Sequence, residues 1–311
     1  VFLTVTANPS VDRTVEVERL TRGALHRGAR VYLHPGGKGV NVARALVRNG
    51  CKARAVVPVG GTDGQQLVSM LVDHSIEVVR VPARGQVRGN ITVVEPDATV
   101  TKLNEAGARL STAEIQALNE AVLKHLAGVD WVVAAGSLPP GVPDRFYADL
   151  VHEIRPTGAQ VAVDTSGPAL LAAVRAAPAL VKPNLDELRE AAGCPLTTLR
   201  DVVVAAEQLR AYGVEAVLAS LGKHGAVLVD GAGVWHAEAP AQPRSSVGAG
   251  DALLAGFLSA GARGPDALVV GVAWGAAAVS LPGSTMPGPH DVHVHQVVLH
   301  SEVAWNRRID E

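Results

Sequence analysis

The stretch SSVGAGDALLAGF, from Ser245 to Phe257, places Gly248, Ala249 and Gly250 directly before Asp251. Asp suits the first turn of a helix, and Ala252, Leu253, Leu254 and Ala255 propagate one. The glycines leave the backbone N–H groups of that turn uncovered, and uncovered N–H groups at a helix start make an anion site. A carboxylate beside an anion site points to phosphoryl transfer, in which charge grows on oxygens while a hydroxyl loses its proton. A plain loop-to-helix turn capped by Asp would read the same way, so other stretches must decide between the two.

Four such stretches fall where strands are expected to end. PGGKGVN, Pro35 to Asn41, precedes a helix and sets Lys38 among glycines. It is not a P-loop, because Tyr32 stands where the first Gly belongs and Gly39 follows the Lys. Bare backbone plus one cation still suits a phosphate or a polyol, although a tight turn with a solvated Lys is the simpler alternative. GSLPPG, Gly136 to Gly141, follows the apolar run at Trp131 and offers the Ser137 hydroxyl. KPNLDEL, Lys182 to Leu188, puts Asn184 and Glu187 three apart at a helix start. That spacing suits a hydrated Mg²⁺ or, equally, helix capping. SLGKHGA, Ser220 to Ala226, has Gly222 and Gly225 punctuating a hairpin that could pass close to a nucleotide.

Other chemistries fit less well. Leu253 occupies the place of the third Gly in a dinucleotide fingerprint. His290, His293, His295 and His300 gather near the end of the chain, but neither HExxH nor a Cys partner accompanies them. They read as a solvated tail, with His293 and His295 on one strand face. Of the 311 residues, 48% are hydrophobic, enough for a large core, while aromatics at 3% are too few for a single-strand stacking platform. A formal net charge of −2 leaves no basic footprint for nucleic acid. No apolar run is long enough for a membrane span. The opening VFLTVTANPS reads as a buried strand rather than a signal peptide. Cys51 and Cys194 lack CxxC spacing, so a reducing, cytoplasmic setting is expected, with both thiols buried.

These stretches need a scaffold. Strands are expected over Phe2–Thr6, Val11–Val17, Ala53–Val59, Glu77–Val81, Arg88–Val94, Thr99–Leu103, Trp131–Ala134, Gln160–Val163, Leu180–Lys182 and Ala216–Leu221. EPDA, Glu95 to Ala98, is a hairpin signal. Helices are expected over Gly39–Arg48 and Gln65–His74, from Pro143, near Pro168, from Asp186, and across Asp201–Tyr212. The later part alternates strand and helix, which argues for a parallel sheet covered on both faces, with ligands at the carboxyl ends of its strands. The early strands, near 11–34 and 86–103, break that rhythm and read as a small second sheet, a lid on one α/β domain spanning 1–311.

Together these residues resemble the PfkB (ribokinase-like) family of carbohydrate kinases, from TANPSVD to VGAGDALLAGF. GGKGVNVARAL, GSLPPGVP, DTSG at Asp164 to Gly167, VKPNLDEL and SLGKHGA fit its phosphosugar branch in that order. The resemblance implies a doubly wound, mainly parallel sheet with a small β-sheet lid, and a homodimer whose lids meet. It implies an ATP-dependent kinase acting with Mg²⁺ on a small phosphosugar. Fructose 1-phosphate is the first choice of acceptor, with tagatose 6-phosphate and fructose 6-phosphate as rivals. Lys38 disfavours the last, whose family members more often carry an all-glycine loop there.

Carried over residue by residue, the resemblance makes Asp251 the base and gives the N–H groups of Ala249, Gly250 and Asp251, behind Gly248, the charge on the transferring phosphoryl group. Asp12, Gly37 and Asn41 would bind sugar hydroxyls, with Asn90 and Ser137 lining the sugar. Lys38 and Arg88 would meet the phosphate already on the substrate, with Arg27 a weaker candidate. Lys182, Asn184, Ser220, Gly222, Gly225, Gly248 and Gly250 would contact ATP, and Asn184 with Glu187 would be linked to Mg²⁺. Two stretches depart from the family pattern near the lid: Val87 replaces a Thr in VRGN, and TKLNEAG carries Lys102 and Ala106. A non-catalytic sugar-phosphate sensor could use the same fold, but it has no need of a base beside an anion hole.

Overall fold

The computed structural model describes residues 1–97, 99–300 and 302–309. In chain order its strands and helices are β1 (Phe2–Val5), β2 (Ser10–Glu16), β3 (Arg30–Gly36), α1 (Lys38–Arg48), β4 (Ala53–Val59), α2 (Gly61–Asp73), β5 (Glu77–Pro82), β6 (Arg88–Val94), β7 (Val100–Asn104), α3 (Thr112–Lys124), β8 (Trp131–Ala135), α4 (Phe146–Ile154), β9 (Gln160–Asp164), α5 (Gly167–Arg175), β10 (Leu180–Val181), α6 (Leu185–Ala192), α7 (Leu199–Arg210), β11 (Ala216–Ser220), β12 (Ala226–Val229), β13 (Val234–Glu238), α8 (Ala249–Ser259), α9 (Gly264–Val279) and β14 (Val298–Leu299).

The large sheet is 10-stranded, in the order β14-β13-β12-β11-β10-β9-β8-β1-β4-β5. From β5 to β11 every neighbouring pair is parallel. The hairpins β11–β12 and β12–β13, with β14 returning after α9 to pair with β13, make the far edge antiparallel. Because strand side chains alternate, each strand feeds two cores. Leu3, Val5, Val132, Ala134, Val161 and Val163 pack with α3, α4, α5, α6 and α7 on one face. Ala55, Val57, Val133, Ala135, Leu218 and Leu228 pack with α1, α2, α8 and α9 on the other. The sheet is thus doubly wound and mainly parallel. The strand order runs outward in opposite directions from β1, with β4 on one side and β8 on the other, so a crevice opens at the carboxyl ends of β1 and β8.

The smaller sheet is 4-stranded, in the order β3-β2-β6-β7. Its register sets Leu33, Arg13, Ile91 and Leu103 in one row across one face. The opposite face carries Asp12, Thr14, Tyr32 and Thr92. These line a cavity of about 180 Å³ with Ser245, Ser246, Val247, Gly283 and Ser284 of the main body. The face turned to the body is mostly polar, and the face turned away carries Leu33, Ile91 and Leu103 about one charged residue, Arg13. The turn expected over EPDA joins β6 to β7 and is closed by Glu95 N–H donating to the Thr99 carbonyl at 3.0 Å, while its Ala98 lies outside the described residues.

Several expectations need correcting. Lys182 lies just beyond β10 rather than in it. His293 and His295 sit at a short 3₁₀ turn, not on a strand. His300 leaves the supposed tail altogether: its Nε2 lies 2.9 Å from Glu238 Oε1 and its ring stacks on buried His236. Cys194 is exposed, because it follows the left-handed Gly193 that ends α6, and Cys51 is only partly buried. The helices α3 and α9 were not foreseen, although Ser111 and Glu114 form a capping box at the start of α3.

Candidate active site

Gly248 caps α8 with φ of 79°, a left-handed conformation that glycine adopts without strain, and a side chain there would also strike Met286. Ala249, Gly250 and Asp251 are therefore the first residues of the helix, where N–H groups have no intrahelical acceptor. A Cβ on Gly250 would lie 3.3 Å from Lys182 Nζ, so this bare turn faces an ammonium group. A helix N-terminus with a lysine against it is an anion site.

Asp251 follows at once and is only 7% exposed. Asn41 Nδ2 donates to its Oδ2 at 2.9 Å. Burial, followed by the negative charge of Asp164, pushes its carboxyl up to about 6, against the pull of Lys38, Asn41 and Lys182. A carboxylate tuned to this range accepts a proton readily near neutral pH.

Asp164 ends β9 and is fully buried. Lys38 Nζ donates to its Oδ1 at 2.7 Å, and Lys182 Nζ stands 3.0 Å from its Oδ2. Burial disfavours the Asp164 charge, yet the two lysines outweigh it and hold the group below the usual carboxylate range. Lys38 also donates to Glu187 Oε1 at 3.1 Å. Burial pulls its ammonium down, but Asp164 and Glu187 outweigh that and keep it charged. Lys38, Lys182, Asp164, Glu187 and Asp251 thus form one charge cluster, in which Lys182, Asp164 and Asp251 are buried and Lys38 and Glu187 are partly exposed.

Asn184 and Glu187 form a capping box at the start of α6: Glu187 N–H donates to Asn184 Oδ1 at 2.8 Å, and Asn184 N–H to Glu187 Oε2 at 2.8 Å. Asn184 also bridges Ser220, the last residue of β11. Gly222 and Gly225 bound the turn that leads into β12, as expected, with Leu221 N–H donating to the Gly225 carbonyl at 2.8 Å.

Across the crevice, Gly37 caps α1 and its carbonyl accepts from Asn41 N–H at 2.9 Å. Ser137, beyond β8, accepts from Asn8 Nδ2 at 3.3 Å. Asp12 Oδ1 accepts from Ser10 Oγ at 2.7 Å and from Asn90 Nδ2 at 2.8 Å, since register puts Asn90 beside it on the smaller sheet. Arg88 donates to the carbonyls of Asn8, at 3.2 and 3.3 Å, and of Glu105, at 3.0 Å. The two cations paired in the sequence reading therefore hold different partners. Lys38 sits on Asp164 and Glu187, and Arg88 stands at the base of the smaller sheet. Arg27 is exposed in the connection between β2 and β3. Of the departures, Val87 is buried, Lys102 is exposed on β7, and the Ala106 carbonyl accepts from Asn8 Nδ2 at 3.0 Å.

Two residues at or beside this cluster, Asp164 and Arg44, carry no role of their own in the sequence. Asp164 was visible only within a motif; the signal was an aspartate closing the apolar run QVAV. Arg44 is 5% exposed and donates to Asn41 Oδ1 at 3.0 Å. Nothing in its local sequence distinguishes it from a surface arginine on an amphipathic helix.

The family model for pfkB family carbohydrate kinases matches residues 5–291. A 1-phosphofructokinase of Rhodobacter capsulatus is 41% identical over 294 residues, covering 92% of this chain and 91% of that protein. Escherichia coli phosphofructokinase-2, solved with substrates and products, superposes with a TM-score of 0.88 at 33% identity, covering 93% of this chain and 96% of that one. Arabidopsis thaliana ribokinase, solved with ribose and ATP, is 21% identical and shares the fold, with a TM-score of 0.73 over 93% of this chain and 96% of its own. The chain belongs to the pfkB family of carbohydrate kinases, enzymes that take their phosphoryl group from ATP.

Proposed function

We propose that this protein phosphorylates fructose 1-phosphate to fructose 1,6-bisphosphate at the expense of ATP, with Asp251 as the base. The observation that carries the proposal is the buried carboxylate of Asp251 in the first turn of α8, beside uncovered N–H groups and Lys182. The acceptor hydroxyl gives its proton to Asp251 as its oxygen attacks. The N–H groups of Ala249, Gly250 and Asp251 take up charge on the phosphoryl group in flight. Lys182, Ser220, Gly222 and Gly225 lie where the nucleotide would run, at the carboxyl ends of β10 and β11. Asp12, Gly37, Asn41, Asn90 and Ser137 are assigned to the sugar. Arg88 is assigned to the phosphate the acceptor already carries. The ion pairs of Lys38 with Asp164 and Glu187 favour assigning it to the transferring group instead.

Asn184 Oδ1 and both Glu187 carboxylate oxygens each already accept one hydrogen bond, so they would hold a Mg²⁺ through the waters such an ion keeps rather than directly. When bound, the ion would neutralise charge on the ATP phosphates.

We read the chain as one domain with the smaller sheet as its lid, and as a homodimer in which two lids meet. The support is the set of exposed apolar side chains on the outer face, where Leu103 is 60% and Val31 56% exposed. Use of ATP and two free cysteines favour a cytoplasmic setting. Among the described residues, no helix is long and apolar enough to cross a membrane.

The test is coupled ADP release with fructose 1-phosphate, tagatose 6-phosphate, fructose 6-phosphate and free fructose. The proposal expects fructose 1-phosphate to give the highest kcat/KM. A higher value for any other acceptor refutes the choice of sugar.

A further inference from the structure

We propose that Arg44 is a positioning residue for the phosphoryl transfer: its guanidinium locks the Asn41 amide in the one orientation that gives Asp251 a hydrogen-bond donor. This rests on the reading of Asp251 as the base. Asn41 and Arg44 are three apart on α1 and share a face. Arg44 Nη1 donates to Asn41 Oδ1 at 3.0 Å and to the Pro35 carbonyl at 3.1 Å, and Asn41 Nδ2 donates to Asp251 Oδ2 at 2.9 Å. A guanidinium only donates, so it must meet the amide oxygen, and the NH₂ group is left for the carboxylate. Turned over, the amide would set oxygen against carboxylate at one end and NH₂ against guanidinium at the other. Both contacts are repulsive.

The cost of this arrangement argues that Arg44 does more than fill space. It is nearly fully buried, and its Nε has no hydrogen-bond partner. Burial draws it down to about 10, against the opposing pull of Asp12 and Asp251, so it remains a cation. Arg48, His34 and His74 also face it electrostatically. Asp251 faces Asp164, Lys38 and Lys182 besides Asn41. The Pro35 bond anchors the guanidinium to the end of β3, so the base of the smaller sheet holds the arginine that holds the amide.

The experiment is the pH profile of kcat/KM with fructose 1-phosphate for wild type, Arg44→Met, Arg44→Lys, Asn41→Ala and the Arg44→Met/Asn41→Ala pair. Losing the fixed donor weakens the carboxylate form of Asp251. The acid limb is expected to move up by about one pH unit in Arg44→Met and in Asn41→Ala. The pair should move no further than Asn41→Ala alone, and Arg44→Lys should recover part of the shift. A limb unmoved in Arg44→Met overturns the proposal, and so does an equal further shift when Arg44→Met is added to Asn41→Ala. If Arg44→Met does not fold, an unmoved limb in Asn41→Ala overturns it by itself, and Arg44→Lys must still shift upward. Asp251→Asn separates the two levels. If that variant turns over like wild type, the base assignment fails. If it is inactive, an unmoved limb counts against Arg44 alone.

Discussion

Lys38 and Asp164 stand 2.7 Å apart, and the carboxylate is fully buried between Lys38 and Lys182. A lysine so held cannot swing to a distant ligand without leaving Asp164 underpaired. Lys38→Ala is therefore expected to lower kcat by about 10²-fold, the scale of losing a charged contact made in the transition state, while KM for the phosphosugar moves little. Steady-state constants for both substrates check this. A rise in phosphosugar KM at unchanged kcat would return Lys38 to the acceptor's phosphate.

Arg88 should behave in the opposite way. Its burial draws the guanidinium below its ordinary range, with Asp12 and Glu105 opposing. Its bonds go to neutral carbonyls, so its charge is available to a dianion. Arg88→Ala is expected to weaken the phosphosugar by about tenfold or more, the scale of a charged hydrogen bond, with KM for ATP unchanged. With free fructose the variant and wild type should differ little. A loss confined to ATP would contradict the assignment.

The elevated carboxyl of Asp251 sets two pH dependences. It is a base only when ionised, so kcat/KM should fall as pH drops through about 6. For stability, the folded group binds its proton more tightly than an unfolded carboxyl of about 3.9. That contribution is fully present below about pH 4 and is lost as pH rises through about 6. Asp251→Asn removes the buried charge, so it should be more stable than wild type at pH 8, by no more than about 3 kcal/mol, with the gap narrowing towards pH 4. Thermal melts at pH 4, 6 and 8 measure it (about the range over which the group titrates).

The outer row of the smaller sheet gives a prediction about assembly. Ile91 and Leu103 are register partners and both are exposed. Leu103→Lys is expected to turn the proposed dimer into monomer in light scattering, because the new charge would be buried in a row whose one charged residue, Arg13, has the same sign. A wild-type protein that is already monomeric would remove the interface.

Much of the scaffold was legible because short runs rich in β-branched residues, ended by Gly60 in one case and by the EPDA turn in the other, leave little choice of element. Ala53–Val59 and Arg88–Val94 fall where expected, to the residue. The start of α8 was equally clear, because glycine spacing before an aspartate is a local signal. The partnerships were not legible. Lys38 meets Asp164 across 126 positions and Asn41 meets Asp251 across 210, and local sequence carries no trace of such pairs. The same holds for His300, whose bond to Glu238 spans 62 positions. Cys194 went wrong for a simpler reason: cysteine is usually buried, but the turn after Gly193 turned this one outward.

The central claim is that Asp251 takes the acceptor's proton. Turnover of Asp251→Asn with fructose 1-phosphate and ATP, measured beside direct ATP binding, tests it most directly. The amide is nearly isosteric and leaves the N–H groups of α8 in place. ATP affinity should hold while kcat falls by about 10²–10⁴-fold, the range for losing a general base. Turnover near the wild-type value, with ATP bound normally, would contradict the account.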